Sequence, residues 1–321
     1  MRVIVWVVLA LGVAWGGYWF VGANVVENAA QNWFDKAADQ GIDATQQGIS
    51  VAGFPNRFDL TVTQPHLMDR TTGWGWDAPF AQIFAMTWKP WHFIAALPNT
   101  QTLIAPDQTV TLQSSKMQAS VRLVPTSALT FAEAVIEGHD LQAKSDQGWQ
   151  LAAKTMVAAM AGLGKDQHLG LDVTDLALDP AMAPTLGGLV SKLHLDAVVS
   201  LTAPLDRHLS EVQPQITAIN LGDFHAVWGE LSVTASGKIT PDTDGLASGR
   251  VDFHFKNWRS IPPLLVAMEL VEPGLAKSIT GGLEALAKSG PDPETLDMAL
   301  ILADGRMNFG PLPLGPAPRL N

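Results

Sequence analysis

Residues 3–26 contain no charged side chain, and this run limits what the chain can become more than any other feature of its 321 residues. Its 24 positions exceed the roughly 20 residues that carry a helix across a bilayer. Arg2 and the amino terminus supply the positive charge before it; Glu27 and Asp35 follow, and Lys36 is the first basic residue beyond. The positive-inside rule then puts the N-terminus in the cytoplasm and the rest of the chain across the membrane. Tyr18 and Trp19 fall near the far end, where amphipathic rings favour the membrane–water interface.

A cleaved signal peptide competes with this reading, because Val21-Gly22-Ala23 offers small residues at a cleavage point. The run is longer than a usual signal core, however. Apolar helical spacing also continues through Val25, Val26, Ala29, Ala30, Trp33, Phe34, Ala37 and Ala38. One long helix that stops at Gly41 accounts for both facts. The expected organisation is a transmembrane anchor over 1–26, a juxtamembrane helix over 27–48, and a periplasmic β-rich domain over 49–321. A buried helix of a cytosolic protein is the remaining reading.

Composition narrows the body. Only 16% of residues are charged, against about 25% in ordinary soluble domains, which excludes intrinsic disorder. Lys and Arg number 20 against 31 Asp and Glu, for a net charge of -11, and no stretch is densely basic. Nucleic-acid binding is therefore not expected. The chain has no cysteine, so disulfides, thiolate metal sites, cysteine nucleophiles and an acylated N-terminal cysteine are excluded. An exported body must then hold together by its core, for which it is long enough.

From Ile49 the hydrophobic period changes to two: Phe58, Leu60 and Val62 alternate with Arg57, Asp59, Thr61 and Thr63. Strand-like runs follow at 82–88, 92–97, 109–115, 118–124, 129–137, 141–144 and 150–158. A second series runs through 169–178, 192–201, 215–228, 231–240 and 247–256. A Pro/Gly-rich stretch at 179–188 reads as a helical turn. Helices are expected at 261–271 and 273–288, then strands at 295–303 and 306–309. The Pro-rich tail at 310–318 can be neither helix nor central strand. The class is α+β and mostly antiparallel β: an apolar N-terminal helix, then a large curled antiparallel sheet with a few covering helices, one face apolar and one polar. Two similar halves breaking near 161–166 are one reading of its organisation.

Catalytic motifs are absent from the sequence. There is no Gly-x-Ser-x-Gly elbow and no His-Glu-x-x-His pair. Gly164-Lys165 lacks the flanking residues of a phosphate loop, and Gly73-Trp74-Gly75 lacks the third glycine of a dinucleotide site. His194, Asp196, His225, Asp252 and His254 form the one oxygen/nitrogen set that a metal could use. Their alternation with apolar neighbours favours a polar strand face instead. Asp172 with Asp175, and Asp242 with Asp244, read as solvated surface rather than acid–base pairs. Arg57 and Asp59 share a strand face as a register-fixing pair. Trp74, Trp76, Trp88 and Trp91 crowd into one segment and could line an apolar ligand groove, touch a membrane interface, or pack a core. No catalytic residue, cofactor or metal is expected.

Three stretches carry a resemblance. They are Gly53-Phe54-Pro55-x-Arg57-Phe58-Asp59-Leu60; Trp228-Gly229 with Gly237, Gly249-Arg250 and Trp258; and the ending Asp304-Gly305-Arg306, Gly310-Pro311 and Pro313-Leu314-Gly315-Pro316. In this order they resemble the bacterial family called domain of unknown function 2125. The chain is also distantly similar to AsmA-like envelope proteins, whose curled sheets form apolar grooves. The resemblance implies a periplasm-facing protein anchored in the inner membrane of Gram-negative bacteria, with no catalytic residues to transfer. The matched glycines and prolines read as structural. The function that follows is a membrane-anchored envelope protein binding lipid or another apolar ligand in a sheet groove. A non-catalytic scaffold for envelope assembly is the alternative, and a hydrolase or metal enzyme a minor one.

Overall fold

A computed structural model describes residues 1–320 other than 163, 180–185, 210, 212 and 268–272. The chain divides into two compact units, Met1–Leu123 with Ile136–Trp149, and Val124–Val135 with Gln150–Asn321.

The first unit opens with helix α1 (Arg2–Lys36), continued by a 3-10 turn at Ala37–Gln40. Gly41 stops it in a left-handed conformation, φ 79°, which glycine adopts without steric cost. Residues 42–48, expected to be helical, instead hold strand β1 (Ile42–Thr45) and the start of β2 (Gly48–Ala52). The remaining strands are β3 (Arg57–Thr63), β4 (His66–Asp69), β5 (Gly75–Asp77), β6 (Phe80–Met86), β7 (Lys89–Leu97), β8 (Thr100–Ala105), β9 (Gln108–Gln113) and β10 (Lys116–Leu123). The runs expected at 129–137 and 141–144 are one strand, β11 (Phe131–Ser145), which belongs to this unit from Ile136 onward, with Asp140 at φ 48° where the sequence suggested a break.

The described ladders of this unit are antiparallel. One ladder runs β2–β3–β6–β7–β10. The other runs β1–β4–β5–β8–β9 and ends on residues 142–145 of β11. The β4–β5 turn is built by Asp69, whose Oδ1 accepts from the Thr71 hydroxyl at 2.6 Å, the Thr71 amide at 2.8 Å and the Thr72 amide at 3.3 Å. The Thr71 hydroxyl, then its amide, lower the Asp69 carboxyl to about 2. A depressed carboxyl supports the turn fully above its ordinary value of 3.8, and that support is lost as pH falls through about 2. Carboxyl-carbon NMR should show Asp69 titrating near 2, moving toward 3.8 in Thr71→Val. A Thr71→Val midpoint equal to the parent's would remove the hydroxyl as the main cause.

The second unit is a meander. β12 (Gln150–Ala161), β13 (Asp166–Ala177), β14 (Leu189–Leu201), β15 (Ile216–Trp228), β16 (Leu231–Pro241), β17 (Ala247–Lys256), β18 (Thr295–Ala303), β19 (Arg306–Phe309) and β20 (Leu312–Pro316) pair in sequence order. At 161–166, one reading of where two halves would meet, Ala161 pairs with His168; Leu163 lies outside the described residues. So does 180–185, most of the expected helical turn at 179–188. In the tail, β20 pairs with β19 alone among the described strands. Such an edge position tolerates proline's missing donor.

The register sorts the faces. Met156, Val173, Leu193, Ala226, Val233, Phe255 and Leu296 form one apolar row; Ala158, Leu171, Leu195, Phe224, Ala235, Phe253 and Met298 form the next. Helices α2 (Ile261–Ala267) and α3 (Pro273–Ser289) follow β17, and the expected residues 268–271 lie outside the description. Leu283 and Ala287 of α3 pack with Leu231, Phe255, Leu296 and the fully buried Trp258. Trp258 keeps its indole N–H bonded to the Pro293 carbonyl at 3.1 Å, so burial leaves no donor unpaired. The fold is thus an apolar N-terminal helix with a large, mostly antiparallel sheet that is not closed, and few helices.

Candidate functional site

Helix α1 with its 3-10 extension is long and apolar enough to cross a membrane. Val3, Ile4, Val5, Trp6, Val7, Val8, Leu9, Leu11 and Val13 are all exposed. Beginning at Trp15 the helix docks on the first unit. The spacing of Trp15, Tyr18, Trp19, Gly22, Ala23 and Val26 places these residues on one helical face.

That face meets the turn between β2 and β3 and the hairpin tip between β6 and β7. Three side chains donate to backbone carbonyls: Trp15 Nε1 to Pro55 at 3.0 Å, Tyr18 Oη to Thr87 at 2.8 Å, and Trp19 Nε1 to Arg57 at 2.7 Å. Thr87, 2% exposed, ties the two turns together by donating its amide and hydroxyl to the Asn56 carbonyl at 3.0 and 3.1 Å. Trp19 stacks on Phe58 at 6.2 Å and meets Phe54 edge-on at 5.4 Å. Phe20 stacks on Phe54 at 5.8 Å. A β-carbon on Gly22 would sit 2.4 Å from the Phe58 ring, so only glycine lets the helix approach this closely.

The matched residues Gly53, Phe54, Pro55, Arg57 and Asp59 build this collar. Gly53 has φ 98°, and a β-carbon there would lie 2.8 Å from the Arg57 carbonyl oxygen. The Phe54–Pro55 bond is cis. Arg57 and Asp59 form the expected pair, at 2.7 Å. Asp59 Oδ1 is buried with no hydrogen-bond partner among the described residues.

The other matched residues serve the second unit. Trp228 donates to the Gly187 carbonyl at 2.8 Å, and Gly229 turns β15 into β16 at φ 57°. Gly237 and Gly249 sit diagonally across the β16–β17 ladder. Gly310, φ 55°, packs on Met298, and Gly315, φ 113°, lies at the β19–β20 irregularity.

The four tryptophans, for which a groove, a membrane interface and a core were the alternatives, are in two places. Trp76 bonds Gln101 Oε1 at 2.9 Å, and Gln101 Nε2 reaches Met117 Sδ at 3.3 Å. Met117 pairs with Leu97, six residues along β7 from Trp91 and therefore about 20 Å away. Trp74 is exposed on the β4–β5 turn, and Trp88 is exposed on the hairpin tip beside Thr87.

The His/Asp set does gather on one sheet face. Asp172, His194, His225, Thr234, His254 and Asp297 form a single cross-strand row, with Asp196 and Asp252 one row over. Each imidazole meets its own partner. His194 Nδ1 lies 2.7 Å from Asp172, His254 Nδ1 lies 2.6 Å from Asp297, and His225 Nε2 lies 3.4 Å from the Ser232 hydroxyl. Arg250 donates to Asp252 at 2.7 Å and holds its carboxyl below the usual range. A hollow of about 430 Å³ lies here, lined by Asp223, Ser236, Arg250, Asp252, His254 and Asp297 among others. Among the described residues no three His, Asp or Glu side chains converge to hold a metal ion. Asp242 accepts from the Asp244 and Leu246 amides, both at 2.9 Å, and so caps a turn.

The collar residues on the helix escaped the sequence reading. Their signal was present: a bilayer asks only for apolar residues on every side, whereas Trp15, Tyr18, Trp19 and Gly22 concentrate rings and a gap on one side.

Residues 19–318 match the family model described as an uncharacterized protein conserved in bacteria, DUF2125. The match begins at Trp19, on the collar face, and runs into the C-terminal tail. No curated protein matches the chain.

Proposed function

The chain belongs to the DUF2125 family of bacterial proteins, and from that premise we propose that it is a membrane-tethered envelope protein. In this reading α1 is a retained single-span anchor, the body stands on the periplasmic side, and the apolar face of the second unit's sheet takes up acyl chains or similarly apolar ligands.

The observation that carries the anchor is the collar. Cleavage after Ala23 would strip away Trp15, Tyr18 and Trp19, three indole or phenol groups bonded to the body, and would uncover Phe58, now 5% exposed. A leader destined for removal has no need of such contacts. The ligand reading is supported by uneven coverage of the apolar rows. Near α3 the row members Phe255, Leu296 and Met298 are buried, whereas Leu171, Leu195 and Phe224 of the second row are only partly buried. Apolar side chains left half-wet across neighbouring strands favour contact with an apolar partner.

One experiment separates the faces. Benzoylphenylalanine is placed at Leu195 or at its neighbour His194, which points to the opposite face, and cells are irradiated. The expected result is a lipid adduct on the full-length protein at position 195 and none at 194, read by intact mass. Equal capture at both, or none at 195, overturns the ligand reading. The same spectra test the anchor: the parent should keep its 34.3 kDa mass, and a product beginning after Ala23 overturns retention.

A further inference from the structure

The anchor and the body compete for the same stretch of helix. The uncharged run begins after Arg2, and docking begins at Trp15. Only residues 3–14 lie between them, about 18 Å of helix at 1.5 Å per residue. The hydrocarbon core is about 30 Å thick and takes about 20 residues. If the body stood clear of the bilayer, Arg2 would be pulled well inside the hydrocarbon, at a cost of several kcal/mol. Placing Arg2 at the far interface puts Trp15–Phe20 about 20–27 Å along the helix, within the near leaflet, together with whatever is docked on them.

What is docked there suits that depth. Around the helix the collar exposes Phe54 (57%), Trp88 (50%) and Met86 (41%), continuous with Tyr18, Phe20 and Val21. Lys89 stands next to Trp88, and Arg57, which is paired with Asp59, lies next to the Phe54 turn. An aromatic rim backed by basic side chains matches the acyl–headgroup boundary of a phospholipid leaflet. We propose that the Phe54 turn and the Met86–Trp88 hairpin tip insert into the near leaflet, so that the first unit sits against the bilayer instead of hanging from a free tether. The inference rests on the anchor reading and adds a second membrane-binding surface to it.

The far end of the first unit supplies a control. The Gly41 carbonyl accepts from Arg70 beside the Trp74 turn, and Tyr18 to Gly41 is 23 residues, or about 34 Å of helix. Because the chain has no cysteine, any single cysteine gives a unique label. Full-length Leu9→Cys, Met86→Cys, Trp88→Cys and Trp74→Cys variants, each carrying an environment-sensitive fluorophore, are reconstituted in phosphatidylethanolamine/phosphatidylglycerol vesicles. Doxyl groups are placed near the headgroup or near the acyl end of the lipid.

The expected result is quenching at position 9 by the deep probe, about twofold loss of emission at 86 and 88 with the shallow probe, and no quenching at 74. Quenching at 9 with 86 and 88 as bright as 74 overturns the inserted collar and leaves the anchor standing. No quenching at 9 overturns the anchor and the collar together. Equal shallow quenching at 74, 86 and 88 overturns the collar as the contacting surface.

Discussion

Gly249→Ala should prevent the second unit from reaching its native stability, whereas Gly170→Ala, also within a strand of the same sheet, should be tolerated. A β-carbon at Gly249 would lie 2.1 Å from the Lys238 carbonyl oxygen and 2.9 Å from the Ile239 α-carbon. Both obstacles are backbone atoms of the neighbouring strand, so no rotamer change relieves them. The residue also has φ 148°, which side chains rarely adopt. β16 and β17 are each paired on both sides, so separating them breaks bonds in mid-sheet. Each buried group left unsatisfied costs about 1–3 kcal/mol, and several are at stake. A loss beyond about 4 kcal/mol is therefore expected. A β-carbon at Gly170 meets nothing within 4 Å, and replacing a strand glycine by alanine there should be neutral or gain about 0.5–1 kcal/mol. Urea unfolding of the two variants decides the matter; matching midpoints would mean that the β16–β17 approach does not need its glycine. Gly237, whose β-carbon would lie 2.3 Å from the Arg250 carbonyl, should behave like Gly249.

These two glycines show where the sequence was readable and where it was not. Their place in a recurring pattern marked them as structural, but nothing in Ala235-Ser236-Gly237 states that two backbones approach there. Regular local signals came through well: β17, β18 and β19 occupy the residues that period-two alternation assigned to them, and Gly41 ends the helix as expected. Short strands did not come through. β4, β5 and β8 have three to six residues, too few for a period to emerge from Thr, Gln and Trp. The placement of the tryptophans was illegible for a different reason. Closeness along the chain from Trp74 to Trp91 says nothing once strand pairing sends its two ends to opposite ends of the unit. The His/Asp row is the reverse case: residues spread from Asp172 to Asp297 fall into one line because six consecutive antiparallel strands keep register. Hydropathy read the helix as a span and stopped there, because a membrane explains an apolar residue without asking which side of the helix it occupies.

Removing the ring at the centre of the collar should uncouple helix from body. Phe58 is 5% exposed, stacks on Trp19, and fills the space that Gly22 leaves open. Phe58→Ala removes these contacts and leaves a cavity beneath the helix, a change that costs about 3–5 kcal/mol at a buried phenylalanine. The Trp15, Tyr18 and Trp19 hydrogen bonds end on carbonyls of the same two turns, so a shift of the helix weakens all three at once. Hydrogen exchange on the full-length protein in vesicles is the suitable measurement. In the parent, the amides of β2 and β3 should be strongly protected, since α1 packs on both strands. In Phe58→Ala their protection should fall by at least about a hundredfold, which is the exchange equivalent of about 2.7 kcal/mol. Amides of β13 and β14 should be unaffected. If the body is held at the bilayer by its collar, shallow-probe quenching at position 88 should fall in the same variant, while deep quenching at position 9 persists because the span itself is intact. Unchanged protection in β2 and β3 would show that the aromatic packing does not hold the helix, and the case for a retained anchor would lose the contact on which it stands.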